Sequence, residues 1–232
     1  MNVERLSWDS SFFGLRIGRS FVGSIEDCCA LAAQKDRLKA DYDLVYVFGN
    51  QGVTFCCEGA TLVDRKMVYT LSECSAVGSD DNVVLWDCDK PVSDALLHLA
   101  LVSGKYSRFK LDNQFPSGGY ERLYSRWIEQ SVNHSMATEV FCYMIDGTPK
   151  GLVTLDLEEN GEGTIGLVAI DEDYQHRGVG TAMMRHVISY AQKHHCKKLS
   201  VATQYDNTPA CRLYEKVGFE VESMTNVWHW WL

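Results

Sequence analysis

Apolar positions along the chain change period several times, and each change marks an element. Ala30, Leu31, Ala32, Ala33 and Leu38 recur with charges between them, a spacing that predicts a helix over 28–39. The unbroken apolar run at 44–48 predicts a buried strand, stopped by Gly49-Asn50-Gln51-Gly52, and 59–64 with 66–71 reads as a strand pair. Between Cys74 and Asp94 the chain turns small and acidic, so a loop or junction is expected there, with a boundary near 80–92. Helical spacing returns over 93–102 and 118–132. Strands at 140–145, 151–157 and 164–170, separated by turns at Asp146-Gly147 and 158–161, form a meander. A helix over 179–194 buries Met183, Val187, Ile188 and Ala191 on one face; a strand at 199–203, a helix at 209–217 closed by Gly218, and strands at 219–223 and 227–231 complete the pattern.

This order describes an α/β (α+β) chain of two unequal parts, 1–90 and 91–232. A weak internal echo, strand then loop then glycine then two strands, relates 45–71 to 201–231 and aligns Gly59 with Gly218. At 232 residues, core size is not limiting.

Composition narrows the function classes. With a net charge of -9, the chain lacks the excess of Lys and Arg that nucleic-acid binding needs, so no nucleic-acid partner is expected. A small phosphorylated ligand stays open, because a few backbone N–H groups and one cation suffice for it. No apolar run approaches a membrane span, and Met1-Asn2-Val3-Glu4-Arg5 lacks the apolar core of a secretory signal, so a cytoplasmic protein without a membrane partner is expected. Nine cysteines without a C-x-x-C spacing predict reduced thiols and no metal site.

The chemistry concentrates where the strand 164–170 runs through Asp171–Tyr174 into Gln175-His176-Arg177-Gly178-Val179-Gly180-Thr181 at a helix start. Two glycines at a strand-to-helix junction let backbone approach a ligand, and the unpaired N–H groups of a first helical turn attract a pyrophosphate. The alternative is a tight turn whose glycines only solve a backbone problem. A dinucleotide fold is excluded twice: Met183 stands where a third glycine belongs, and Thr203-Gln204 stands where an acid should end the next strand.

This Gln-x-x-Gly-x-Gly loop resembles the coenzyme A loop of the GCN5-related N-acetyltransferase (GNAT) superfamily, and Asn207 with Ala210–Phe219 resembles its closing segment. The resemblance covers 135–232 and implies a GNAT fold: a mixed, mostly antiparallel twisted sheet flanked by helices, preceded by a smaller α/β domain like a truncated GNAT half. It implies acetyl-CoA as co-substrate, held by Val168, Ile170, Gln175, His176, Arg177, Gly178, Val179, Gly180, Thr181, Asn207 and Tyr214. Val168 is then the oxyanion donor and Tyr214 the acid that protonates sulfur. The competing roles are a packing tyrosine for Tyr214 and a plain helix cap for Asn207.

Further segments, Leu6–Gly14, Ser107-Arg108-Phe109, Tyr124–Glu129 and Val201–Thr208, resemble a branch of that superfamily that acetylates nucleotide-linked amino sugars of the dTDP-4-amino-4,6-dideoxyhexose type in surface-polysaccharide synthesis. The branch implies a nucleotide amino sugar as substrate. Arg108 would meet its phosphate, Phe109, Phe115 or Tyr124 would stack on it, and Asp64 would take the amine's proton. For each there is a plainer role: a surface ion pair for Arg108, core packing for the aromatics, a turn carboxylate for Asp64. A homodimer is implied as well, with 227–231 taken as an exposed edge strand; core packing is the competing explanation of its tryptophans. An amino acid, polyamine or antibiotic amine as acceptor, or a non-catalytic acyl-CoA-binding module, are the other readings.

Overall fold

A computed structural model describes residues 1–72, 78 and 80–232, so part of the predicted acidic junction lies outside the described residues. The N-terminal block opens with β1 (Glu4–Arg5), α1 (Ser7–Phe13), β2 (Ile17–Val22), α2 (Ile25–Ala32), α3 (Lys35–Leu38), β3 (Leu44–Asn50) and β4 (Ala60–Ser72). The helix expected over 28–39 is thus two helices. At the break, Gln34 Nε2 turns back to donate to the Ala30 carbonyl (3.0 Å), a side-chain bond that competes with helix continuation. The strand pair expected at 59–71 is one strand, because β4 is paired along both edges, to β10 and β9, and its irregularity is absorbed by a bulge beside Asp64. Asp64 is therefore an in-strand carboxylate and not a turn residue.

The rest comprises β5 (Val83–Leu85), α4 (Asp94–Ser103), α5 (Arg108–Leu111), α6 (Gly119–Val132), β6 (Glu139–Ile145), β7 (Thr148–Leu157), β8 (Glu162–Ile170), α7 (Val179–Lys193), β9 (Lys198–Gln204), α8 (Thr208–Lys216) and β10 (Glu220–Trp231). β5 falls inside the segment expected to be loop, where it extends the sheet beside β6. The two closing strands are one, β10, which stays paired to β4 through Met224, Thr225 and Asn226 and carries a bulge between Val221 and Ser223.

All ten strands form one sheet in the order β1-β2-β3-β10-β4-β9-β8-β7-β6-β5. Pairing is antiparallel except for β2 with β3 and β8 with β9. Side-chain alternation divides the core between the two faces. Tyr46, Leu152 and Ala169 join α1, α4 and α6 on one face, while Val45, Val47, Val153 and Leu155 point to the other, under α2 and α7. β10 is interior, paired to β3 on one edge and β4 on the other. The edge-strand argument for a dimer through 227–231 therefore fails: Trp228, His229 and Trp230 are buried in the sheet.

Helix ends follow the sequence closely. Gly218, at φ +98°, ends α8 with Phe219 N–H donating to the Tyr214 carbonyl and Gly218 N–H to that of Glu215, while the Tyr214 and Phe219 rings meet at 6.1 Å. This closure fixes Tyr214 on the buried side of α8. No helix among the described residues is long and apolar enough to cross a membrane, and Cys28, Cys29, Cys56, Cys57, Cys88, Cys142 and Cys211 are free thiols.

Candidate active site

The site begins with a defect in the sheet. β8 and β9 pair in parallel only from Glu162↔Lys198 to Ile165↔Val201, although β8 runs on to Ile170 and β9 to Gln204. On the other edge of β8, the register with β7 jumps between Val153↔Val168 and Leu155↔Ile165. At the jump, the buried Thr154 hydroxyl accepts from Leu167 N–H at 2.8 Å, and a Cβ at Gly166 would lie 2.7 Å from that hydroxyl. Bulge and glycine together turn β8 away from β9 and leave the backbone at 166–170 without a partner strand on that side. Thr154, a hydroxyl set between the apolar residues Val153 and Leu155, is the missed sequence signal for this feature.

Beyond β8, Gln175 Nε2 donates to the Ile170 carbonyl at 3.0 Å and ties the loop to the strand end. His176 (φ +59°) and Gly178 (φ +85°) both adopt the left-handed conformation, so the backbone curls before α7. Gly178 is the N-cap of α7, no side chain caps its first turn, and no acidic residue lies in that turn. The N-terminal N–H groups of a fifteen-residue helix are left free for an anion, with the exposed Arg177 beside them. A Cβ at Gly180 would lie 3.2 Å from Leu213 Cδ2, so the second glycine lets α7 pack on α8 next to Tyr214. Val179 is buried in the core, and Thr181 is partly buried in the first turn.

A cleft opens at the splay. Its walls bring together Asp64, Arg108, Phe109, Tyr124, Val168, Asn207 and Tyr214, seven of the residues expected from sequence and drawn from β4, α5, α6, β8 and α8. The loop 175–181 lies outside this cleft, at the far end of the unpaired β8 backbone. Lys66, Ser107, Trp127, Thr203 and Gln204 also line it; all but Lys66 lie in segments that carry the resemblance, but none has a role assigned from sequence. Asn207 does two things at once, capping α8 through Ala210 N–H (3.4 Å) and donating to Thr203 Oγ1 (3.2 Å) at the wall. Tyr214 is buried, and burial pushes its phenol above the ordinary range, so it stays protonated. Tyr124 is likewise buried, in space that a side chain at Gly104 would fill.

Asp64 is the outlier of the site. Its Oδ1 is buried without a hydrogen-bond partner, and burial pushes the carboxyl up to about 6 against the pull of Arg108 and Lys66. A second cleft, walled by Thr61–Arg65, Leu111–Gln114 and Asp206, meets the first at Asp64. Arg108 forms no surface ion pair: among the described residues no carboxylate lies within 4 Å of it. Its guanidinium lies 4.3 Å from the Tyr46 ring centroid and 4.8 Å from that of Phe109. Phe109 touches the cleft but packs against Phe13 (5.4 Å) and Phe115 (5.3 Å). Phe115 is buried in this cluster outside the cleft.

Beneath Arg108, Tyr46 stacks on His229 at 4.9 Å, and His229 Nδ1 donates to Asp112 Oδ2 at 2.5 Å. Burial holds His229 below its usual range, while Asp112, although buried, is held low by the hydrogen bonds from His229, Gln114 N–H and Trp231. Asp112 belongs to the same turn as Arg108, and its backbone N–H donates to the Arg108 carbonyl. Among the described residues, no group of His, Cys, Asp and Glu is arranged to hold a metal ion.

Comparison with known proteins agrees with this architecture. Residues 106–219 match the acetyltransferase (GNAT) family. The dTDP-fucosamine acetyltransferase of Escherichia coli O6:H1 is 27% identical over 227 residues, 96% of this chain and 95% of that protein. Streptothricin acetyltransferase A of Bacillus subtilis is 33% identical over 79 residues, 34% of this chain and 46% of that protein. A functionally unknown conserved protein of Staphylococcus epidermidis shares the fold with a TM-score of 0.65 at 12% identity, over 100% of this chain and 93% of its own.

Proposed function

Because this chain belongs to the GNAT acetyltransferases through residues 106–219, we propose that it transfers acetyl from acetyl-CoA to the amino group of a nucleotide-linked amino sugar. The observation that carries the reading is Asp64: a half-buried carboxylate with one oxygen buried and unpartnered, its proton affinity raised to about 6, lining the same cleft as a protonated tyrosine and an arginine without an ion pair. The near full-length likeness to an enzyme named for dTDP-fucosamine supports the choice of acceptor.

The residues fit acetyl-CoA. The uncapped start of α7, with the backbone curled at His176 and Gly178, would hold its pyrophosphate, and the unpaired backbone of β8 would receive its pantetheine arm. When bound, acetyl-CoA supplies the activated acetyl group. The backbone N–H of Val168, which lines the cleft, would polarise the carbonyl oxygen. The acceptor attacks as a neutral amine, and Asp64 takes the proton that its nitrogen sheds as the C–N bond forms and the C–S bond breaks. Tyr214 donates its phenolic proton to the departing sulfur, and its burial keeps that proton in place beforehand. Asn207 holds the mouth of α8 against β9 through Thr203.

The test is thiol release from acetyl-CoA against dTDP-linked 4-amino-4,6-dideoxyhexoses, simple amines and amino acids. Turnover on the sugar nucleotides is expected. Turnover confined to the other amines would overturn the acceptor assignment, and none on any amine would favour a binding module.

A further inference from the structure

Resting on the nucleotide-sugar reading, we infer that the sheet face running from Asp64 past Phe48 to Phe21, roofed by Arg108 and bordered by Arg19, binds the nucleoside diphosphate of the acceptor, with Arg108 on its phosphates and Phe21 stacked on its base.

Register places these residues in one row. Asp64 on β4 is opposite Val227 on β10, Val227 is opposite Phe48 on β3, and Phe48 is opposite Phe21 on β2. Directly opposed residues project from the same face, so the row crosses three strand spacings, ~14 Å, on the side that faces the cleft. The neighbouring row, Thr61, His229, Tyr46 and Arg19, lies beside it. Phe48 and Phe21 stack at 5.3 Å, yet Phe21 is 61% exposed. A large aromatic ring, held by a stacked partner and open to solvent, presents a free face to a planar ligand.

The charges point to what that ligand carries. Arg108 stands over both Tyr46 (4.3 Å) and Phe48 (5.8 Å), between the cleft and Phe21. Arg19 lies 5.8 Å from the Phe21 ring and pairs with Glu4 on its outer side. Asp9, on α1, faces Tyr46 and feels both arginines. Burial nevertheless raises its carboxyl, and it forms no ion pair with either. The other way out of the cleft is walled by Asp64, Asp112 and Asp206, with its Arg65 already committed to Asp206, so an anionic group is disfavoured there. From the reactive amine outwards, a nucleotide sugar presents sugar, phosphates and base; the row presents carboxylate, guanidinium and open ring in the same order.

Calorimetric titration of the full chain with deoxythymidine diphosphate tests this. Phe21→Ala is expected to weaken binding ~10-fold and Phe21→Tyr to restore it, in keeping with the loss of one stacked base, and Arg108→Gln to weaken binding at least as much. Because Phe21 is exposed, thermal melting should be unchanged. If the unaltered chain binds the diphosphate and Phe21→Ala binds it as tightly, the track is wrong while the nucleotide reading stands. If the unaltered chain binds no diphosphate, both fall. Sedimentation that shifts on Phe21→Ala with no change in affinity would identify the face as a contact between copies of this chain and overturn the proposal.

Discussion

The two halves of the cleft are built from different materials. The half proposed for the acetyl donor is backbone: a bulge at Gly166, a strand edge with no partner, two left-handed residues and an uncapped helix end. The half proposed for the acceptor is side chain: Asp64, Arg108, Tyr124 and the aromatic layer beneath them. Backbone features serve any ligand with the same connecting arm, whereas side chains from β4, α5 and α6 are free to change with the acceptor. The difference teaches where generality ends in this molecule, at the line between Val168 and Asp64.

Changes on either side of that line should separate cleanly. Asp64→Asn should have the largest effect, lowering kcat/KM by ~100- to 10,000-fold with acetyl-CoA affinity unchanged. In the unaltered protein kcat/KM should rise with pH through about 6, as Asp64 loses its proton, and this limb should vanish in the variant. A retained limb would assign the titration to another group. Next, Tyr214→Phe should lower kcat by roughly 10- to 1,000-fold at near-normal KM for both substrates; an unchanged single-turnover rate would remove the phenol from proton transfer.

On the backbone side, Gly178→Val should weaken acetyl-CoA binding by ~10-fold, because a β-branched residue is strained at φ +85°, and the acceptor KM should stay put. Equal losses for both ligands would show that the halves are not separable. The smallest effect is on stability. The folded state raises the Asp64 pKa from 3.8 to about 6, so Asp64 favours folding below pH 4, and that contribution is lost as pH rises through about 6. Asp64→Asn should therefore melt higher at pH 8, by at most ~2–3 kcal/mol, and match the unaltered protein at pH 4. A Tm gain of equal size at both values would contradict the buried-charge account.

Legibility follows the same division. The loop at 175–180, the meander and the glycine closure of α8 could be read directly, since left-handed turns and helix ends restrict residue choice locally. Asp64 and Arg108 were marked by resemblance, but their setting was not. No local pattern shows that β4 is paired on both edges, or that Tyr46 and His229 stack beneath an arginine more than sixty positions from the one and over a hundred from the other. The strand at 59–71 reads as two beside the bulge next to Asp64, because a bulge mimics a turn in a one-dimensional pattern, whereas 219–231 reads as two at Met224–Asn226, where pairing to β4 is unbroken. The interior position of β10 depends on partners far away in sequence, and the tryptophan-rich run reads as an exposed edge without them.

The place of β4 also governs the order in which this protein can come into being. Both of its neighbours, β9 and β10, are encoded far downstream, so during synthesis β4 leaves the ribosome with its hydrogen-bonding edges bare. Such long-range closure slows folding and exposes the strand to wrong partners. The carboxylate proposed to open the reaction is therefore among the last groups to be set in place, and a nascent chain whose 175–181 loop has already formed would stay inert until β10 slides between β3 and β4.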